Sequence, residues 1–441
     1  EVLAATRRAF DQDDRYRHAT FALAVQAAGD EQAYPQVRAR LEALCRWQQM
    51  QSPSLAVPDA NAGKVTGVCE FDTLRPALED KTATLKRPKS ETVHISAACR
   101  VRWVEDGEQS RPREIDKEGF YQRRTELEGL QFTQDLHEMA MPDKDAGQNF
   151  GNLNNKMALV YLDGNHFGKL AREFCKTESK QEEFDLKLRK KYQDGALKTL
   201  LSEIKDDPAW KNGGRIRLET LLWGGDEIIW VAPAWKGWWL LGRFFDITLG
   251  GDGDESQKGR PWAIKIDGKE RPLTHGAGLV FCHHDAPLRP LIRLVKELGD
   301  LAKKASDHSA NCLAYQVLES FDHAGSDLKA MRERRWPLRD DPGGMILDGE
   351  AMLKADRAVR RIKQTDLPKR QLYRLVKEVS NDRQKAEELA EELREQTGIE
   401  DNWKGWKAVE DCFGKGLRLT AWLHLLELWD YLGLNDNGDA S

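Results

Sequence analysis

Residues 216–232 read Ile216-Arg217-Leu218-Glu219-Thr220-Leu221-Leu222-Trp223-Gly224-Gly225-Asp226-Glu227-Ile228-Ile229-Trp230-Val231-Ala232. Two apolar, β-prone runs flank the Gly-Gly pair, and two acids follow at once. Runs joined in this way predict a β-hairpin, because a tight turn needs positive φ and glycine adopts it without a Cβ clash. The hairpin tip then presents Asp226 and Glu227 beside bare backbone. Carboxylates bind hard cations, and glycine lets a phosphate approach the main chain. The bland alternative is an ordinary turn whose acids are solvated.

Working outward, Met157 to Leu162 is an apolar run of strand length that ends in Asp163-Gly164-Asn165. A broken helix is expected from about His166 to Ile204. After the hairpin, Trp238, Trp239, Leu241, Phe244 and Phe245 mark a helix, and Leu273 to Cys282 reads as a strand. The second half of 250–273, beginning at Trp262, reads as a small hairpin with an Asp267-Gly268 turn. Leu288, Leu291, Ile292, Val295, Leu298, Ala302 and Ala305 recur at helical spacing, and Cys312 to Leu318 closes the block as a strand. The first six elements follow the βαββαβ order of ferredoxin-like folds, including polymerase-type palms. The expected class is therefore α+β: a palm over 151–320, between a helical and irregular domain at 1–150 and a helical domain at 321–441. Within the N-terminal part, 105–117 reads as a polar turn or a mobile loop and 119–141 as one helix. Beyond 320, residues 321–350 read as loop and 350–433 as helices.

In a βαββαβ sheet the first and third strands are central neighbours, so Asp163 and the acids of the hairpin converge although far apart in sequence. Two carboxylates with the Gly164 carbonyl can hold one or two Mg²⁺ ions, which prefer oxygen ligands. Such ions support in-line phosphoryl transfer.

Whole-chain properties set the bounds. The 441 residues exceed one ordinary domain. Lys and Arg total 68 against 73 Asp and Glu, a net charge of −5, which argues against a nucleic-acid coat protein but allows a local basic channel. No apolar run is long enough for a membrane span and no signal-peptide pattern is read, so a cytoplasmic protein is expected. Seven scattered cysteines without a C-x-x-C pair agree with reduced thiols.

Leu162-Asp163-Gly164-Asn165-His166-Phe167-Gly168-Lys169-Leu170, followed by Gly224-Gly225-Asp226-Glu227, resembles the paired signatures of the GGDEF and Cas10 palm superfamily. The closer resemblance is to the cyclase palm of Cas10 proteins. Gly276 to His283 with Ala286-Pro287-Leu288 resembles their third palm strand and next helix. Ala302-Lys303-Lys304 with Asn311 to Ala314 resembles the segment whose lysine reaches nucleotide phosphate.

The resemblance implies a nucleotidyl cyclase that makes a cyclic oligonucleotide messenger from ATP, in CRISPR or related antiviral defence. It implies Asp163, Gly164, Asp226 and Glu227 as ligands of Mg²⁺ or Mn²⁺, with Glu227 as ligand or base. Gly164, Asn165, Gly224, Gly225 and Lys303 would surround the nucleotide. Since one palm is visible, a homodimer or a partner palm subunit is expected, with RNA and CRISPR subunits as further partners. Asn165 stands where an acid is common. Ala171 stands near the place where diguanylate cyclases carry a guanine-reading Asn, which favours ATP over GTP. The rival expectation is an inactive palm that binds nucleotide or RNA as a scaffold or sensor.

Other motifs are weaker. His283-His284-Asp285 invites an HD-hydrolase reading, but such sites need a distant His and Asp in a helical bundle. Asp252 to Glu255 lacks flanking strands and reads as surface loop. Trp235, Trp238 and Trp239 could stack bases, though core is the commoner role. Arg357, Arg360, Arg361, Lys363, Lys369 and Arg370 form a basic patch that could touch RNA or simply be solvated.

Overall fold

The protein is described here by a computed structural model. The structure describes residues 117–251, 260–319, 346–364, 367–396, 407–414 and 418–434. Before 117 it describes 4–6, 8, 22–25, 34–51, 64–70, 75–85, 91–100, 103–106 and 109–112. The chain divides into two compact units: Glu1–Lys117 with Cys175–Glu182, and Glu118–Phe174 with Glu183–Ser441. The segment 118–150, read with the N-terminal domain, thus belongs to the larger unit.

The larger unit is built on a six-stranded mixed sheet, which makes the chain α+β. Its strands are β1 (Lys156–Gly164), β2 (Glu219–Gly224), β3 (Glu227–Pro233), β4 (His275–His283), β5 (Cys312–Val317) and β6 (Ile346–Asp348). Their order is β2-β3-β1-β4-β5-β6. β3 and β4 both run antiparallel to β1, so β1 to β4 form two interleaved βαβ units. β5 runs parallel to β4, and β6 closes the edge antiparallel.

Residues 157–162 of β1 are all buried, because both faces of the sheet are covered. A strand in that position needs a continuous apolar run rather than alternation. The helices introduced here are α1 (Phe167–Phe174), α2 (Gly195–Ile204), α3 (Ala234–Thr248) and α4 (Leu288–Ala305). α3 covers one face with Trp235, Trp238, Leu241 and Phe244 buried. α4 covers the other, where Leu291, Val295 and Leu298 meet Leu159, Tyr161 and Val280. The approach of α4 is close: a Cβ on Gly278 would lie 2.0 Å from the Val295 carbonyl oxygen.

Several expectations change. The helix read over 119–141 is two helices, Lys117–Thr125 and Leu136–Ala140. Between them Phe132 bridges to Ile216 and stacks on Tyr121 at 4.1 Å, so strand-like pairing displaces the helix. The turn read at 105–117 contains a hairpin, Trp103–Asp106 against Gln109–Pro112. The loop read at 321–350 contains β6, which lengthens the sheet by one strand.

Between α1 and α2 the chain passes through Glu178–Asp185 and a wide π-helical stretch, Leu186–Asp194. The Asp267-Gly268 hairpin forms as read, with positive φ at both turn residues. Helices occupy Gly349–Lys363, Lys369–Asn381, Arg383–Gln396 and Arg418–Leu428. The loop reading of Asp252 to Glu255 lies outside the described residues. Among the described residues no helix is long and apolar enough to cross a membrane. All seven cysteines are free thiols.

Candidate functional site

Gly224 pairs with Glu227 across the hairpin, so the turn is the two residues Gly225 and Asp226. Gly225 takes φ 57°, the left-handed conformation a tight turn demands and glycine permits. The Gln193 side-chain amide donates to the Gly225 carbonyl and pins the turn to the π-helical stretch. On the next pair of strands, Glu227 is in register with Asp163. Cross-strand partners share a face, so these two carboxylates stand side by side, with Tyr161 two residues back on the same face.

On its other side Asp163 is in register with Gly276 of β4. The missing side chain there is filled from α4. A Cβ on Gly276 would lie 2.3 Å from Lys303 Cγ, so Gly276 is the gap through which Lys303 reaches the strand end. Lys303 Nζ lies 2.5 Å from Asp163 Oδ2 and donates to the Gly164 carbonyl at 2.9 Å. This pair is largely buried, with side-chain exposures of 11% and 18%. Glu227 has its own partners: it accepts from Tyr161 Oη at 2.8 Å, and Lys296 Nζ lies 3.3 Å away.

The charge state of the site follows from these neighbours. Burial, and then the negative charge of Asp163, push the Asp226 carboxyl above the usual carboxylate range; Lys303 only partly offsets this. Burial and the charges of Asp163 and Glu227 push the Tyr161 phenol strongly upward, so it stays protonated and donates. His275, at the start of β4, is fully buried and pushed down to about 3, by burial first and then by the charge of Lys303. It is neutral, packed edge-on against Phe167, Phe244 and Trp262. Its backbone N–H donates to Asn311 Oδ1 at 2.8 Å.

Of the residues expected around a nucleotide and metal, Asp163, Gly164, Gly224, Gly225, Asp226, Glu227 and Lys303 all lie at one end of the central strands. Asn165 follows them but is turned inward: its side-chain amide donates to Thr274 Oγ1 at 2.9 Å and to the Ala310 carbonyl at 3.0 Å. Ligand atoms of Asp163, Asp226 and Glu227 do not fall within one 4.8 Å cluster. The donor set nevertheless suits a hard divalent cation. It is all oxygen, and Asp226, pushed up by burial first and then by the charge of Asp163, stands where a cation would offset both.

Sequence reasoning missed Lys296, Tyr161 and Gln193. Lys296 and Lys303 are seven residues apart on α4, two helical turns, and that spacing was the available signal.

Elsewhere the weaker motifs resolve. Trp235 and Trp238 are core, while Trp239 is 37% exposed. In the basic patch Arg360 pairs with Asp356, and Lys369 with Asp430 at 2.7 Å.

No family model matches the chain, and no curated protein matches it. Among solved structures it is similar to the crystal structure of Csm1 in T. onnurineus, at 15% identity and a TM-score of 0.29. That similarity covers 64% of this chain and 37% of the Csm1 chain, so this chain spans well under half of that protein's length.

Proposed function

We propose that the chain is a Cas10-like palm nucleotidyltransferase that joins ATP into a cyclic or linear oligonucleotide messenger with Mg²⁺ or Mn²⁺. The observation that carries this reading is the register of Asp163 with Glu227, with Asp226 held on the adjacent Gly225 turn. Asp163, Asp226, Glu227 and the Gly164 carbonyl would hold the cation. Bound there, it would neutralise triphosphate charge and lower the pKa of an attacking hydroxyl.

The chain's own residues supply the rest. Gly224 and Gly225 leave the backbone open to the nucleotide. Lys303, now paired with Asp163, would exchange that partner for phosphate when a cation takes the carboxylate. Tyr161 and Lys296 hold Glu227 in place on the strand. With one such sheet among the described residues, cyclisation on this reading would need a second copy or a partner palm, and CRISPR subunits and RNA are the partners it implies. A second reading has its own support. Lys303 already neutralises Asp163, as a palm that only binds nucleotide or RNA would tolerate. A diguanylate cyclase is a third reading, and GTP turnover with ATP inert would favour it.

The test is incubation with labelled ATP or GTP and Mn²⁺, comparing wild type with Asp226→Ala. Oligonucleotide product from ATP in the wild type alone is expected. No product, or equal product from both proteins, sinks the enzyme reading and leaves the binding palm.

A further inference from the structure

β4 carries its first residue, His275, at the acid end of the sheet and its last, His283, at the opposite end. At about 3.3 Å per residue, those ends are roughly 26 Å apart. At the far end His283, His284 and Asp285 each offer a ligand atom within 4.8 Å of the others. A fourth group arrives from a remote segment: His137, on the short helix Leu136–Ala140, places its Nδ1 3.3 Å from His284 Nε2.

We propose that His137 and His284, with a third donor from His283, bind one divalent transition-metal ion of the zinc class. Three observations support this. Two nitrogens bound at about 2.0–2.1 Å to a tetrahedral ion lie roughly 3.3–3.4 Å apart, which is the separation of His137 Nδ1 and His284 Nε2. His284 Nδ1 lies 3.0 Å from Asp285 Oδ1, so a carboxylate holds the N–H on that nitrogen and leaves Nε2 as a bare lone pair facing His137. The two segments are also tied together. Asn155 donates its N–H to the Ala140 carbonyl at 3.0 Å and accepts from the His284 N–H at 3.0 Å.

A hollow of about 220 Å³ opens beside His283 and Asp285, with Glu319 also in its lining. Imidazole donors select zinc-class ions over Mg²⁺, so this end of the sheet and the acid end would take different metals.

The test uses the full chain stripped with EDTA and titrated with Co²⁺, then with Zn²⁺ in competition. One equivalent is expected, with the visible absorption of a nitrogen-ligated tetrahedral Co²⁺ that Zn²⁺ displaces. His284→Ala and His137→Gln should each weaken Zn²⁺ binding by about tenfold or more. Asp226→Asn, at the other end, should leave it unchanged. His137 is exposed, so His137→Gln should melt like wild type without metal and lose only the rise in melting temperature that Zn²⁺ gives. No saturable binding, or wild-type affinity retained in the His137→Gln/His284→Ala double variant, overturns the proposal.

Discussion

The two ends of the central strands are built from the same backbone and hold opposite chemistry. At the end with Asp163 and Glu227, oxygen donors accumulate, and lysines from α4 offset their charge inside the fold. At the end with His283 and His284, nitrogen donors face each other near the surface, and the nearest carboxylate, Asp285, is itself exposed. The first end has its countercharge built in, so a ligand must compete with Lys303. The second has none. One sheet can therefore carry a gated site and an open site, because strand ends are where side chains leave the packed core.

The largest expected effect breaks the first end alone. If the proposed activity is present, Asp226→Ala should lower oligonucleotide formation by about a thousandfold, equivalent to ~4 kcal/mol in the barrier. Zn²⁺ binding at the histidine end should be unchanged in the same protein. Next, Lys303→Met should destabilise the larger unit by about 3 kcal/mol in urea unfolding, because it strips a largely buried carboxylate and the Gly164 carbonyl of their partner. Millimolar Mg²⁺ should restore more stability to that variant than to wild type, since the freed Asp163 then accepts the cation.

An effect seen only in acid reads His275. Its native value, about 3, lies below the unfolded value of 6.5, so the unfolded chain takes up the proton first as pH falls. This contribution to stability is whole above about pH 6.5 and declines toward pH 3, by ~1.4 kcal/mol per pH unit between. His275→Leu should lack that share of the acid slope. The smallest effect concerns Asp226 itself. Its native value is raised above 3.8, so its ionisation costs stability as pH rises through the unfolded value, and the cost is complete above the raised one. Asp226→Asn should therefore melt higher at neutral pH, with the difference vanishing in acid.

Much of this was legible in the residues. The β1 run, the Gly-Gly hairpin and the amphipathic α4 carry periodicities or turn chemistry that local physics enforces. Their alternation was enough to place Asp163 beside the hairpin acids. Less legible was whatever depends on non-local pairing. Ile346–Asp348 is too short to announce itself as a strand and exists because β5 offers it an edge. Phe132 looked helical because Phe120, Leu127, Leu130 and Leu136 around it suggested one apolar helix, yet it is bridged to Ile216. Lys303 was expected on phosphate, and nothing local says that its present partner is Asp163. His137 and His284 are 147 residues apart, and only the fold brings them together.

The gap at Gly276 has a consequence for genetics. The charge balance at the acid end rests on a residue that bears no charge and touches no ligand. Adding one methyl group there would push the Lys303 stem aside and leave Asp163 without its cation, though neither charged residue had changed. A random screen for altered activity should therefore recover substitutions at this glycine alongside those at the acids. Their phenotype should resemble loss of the lysine.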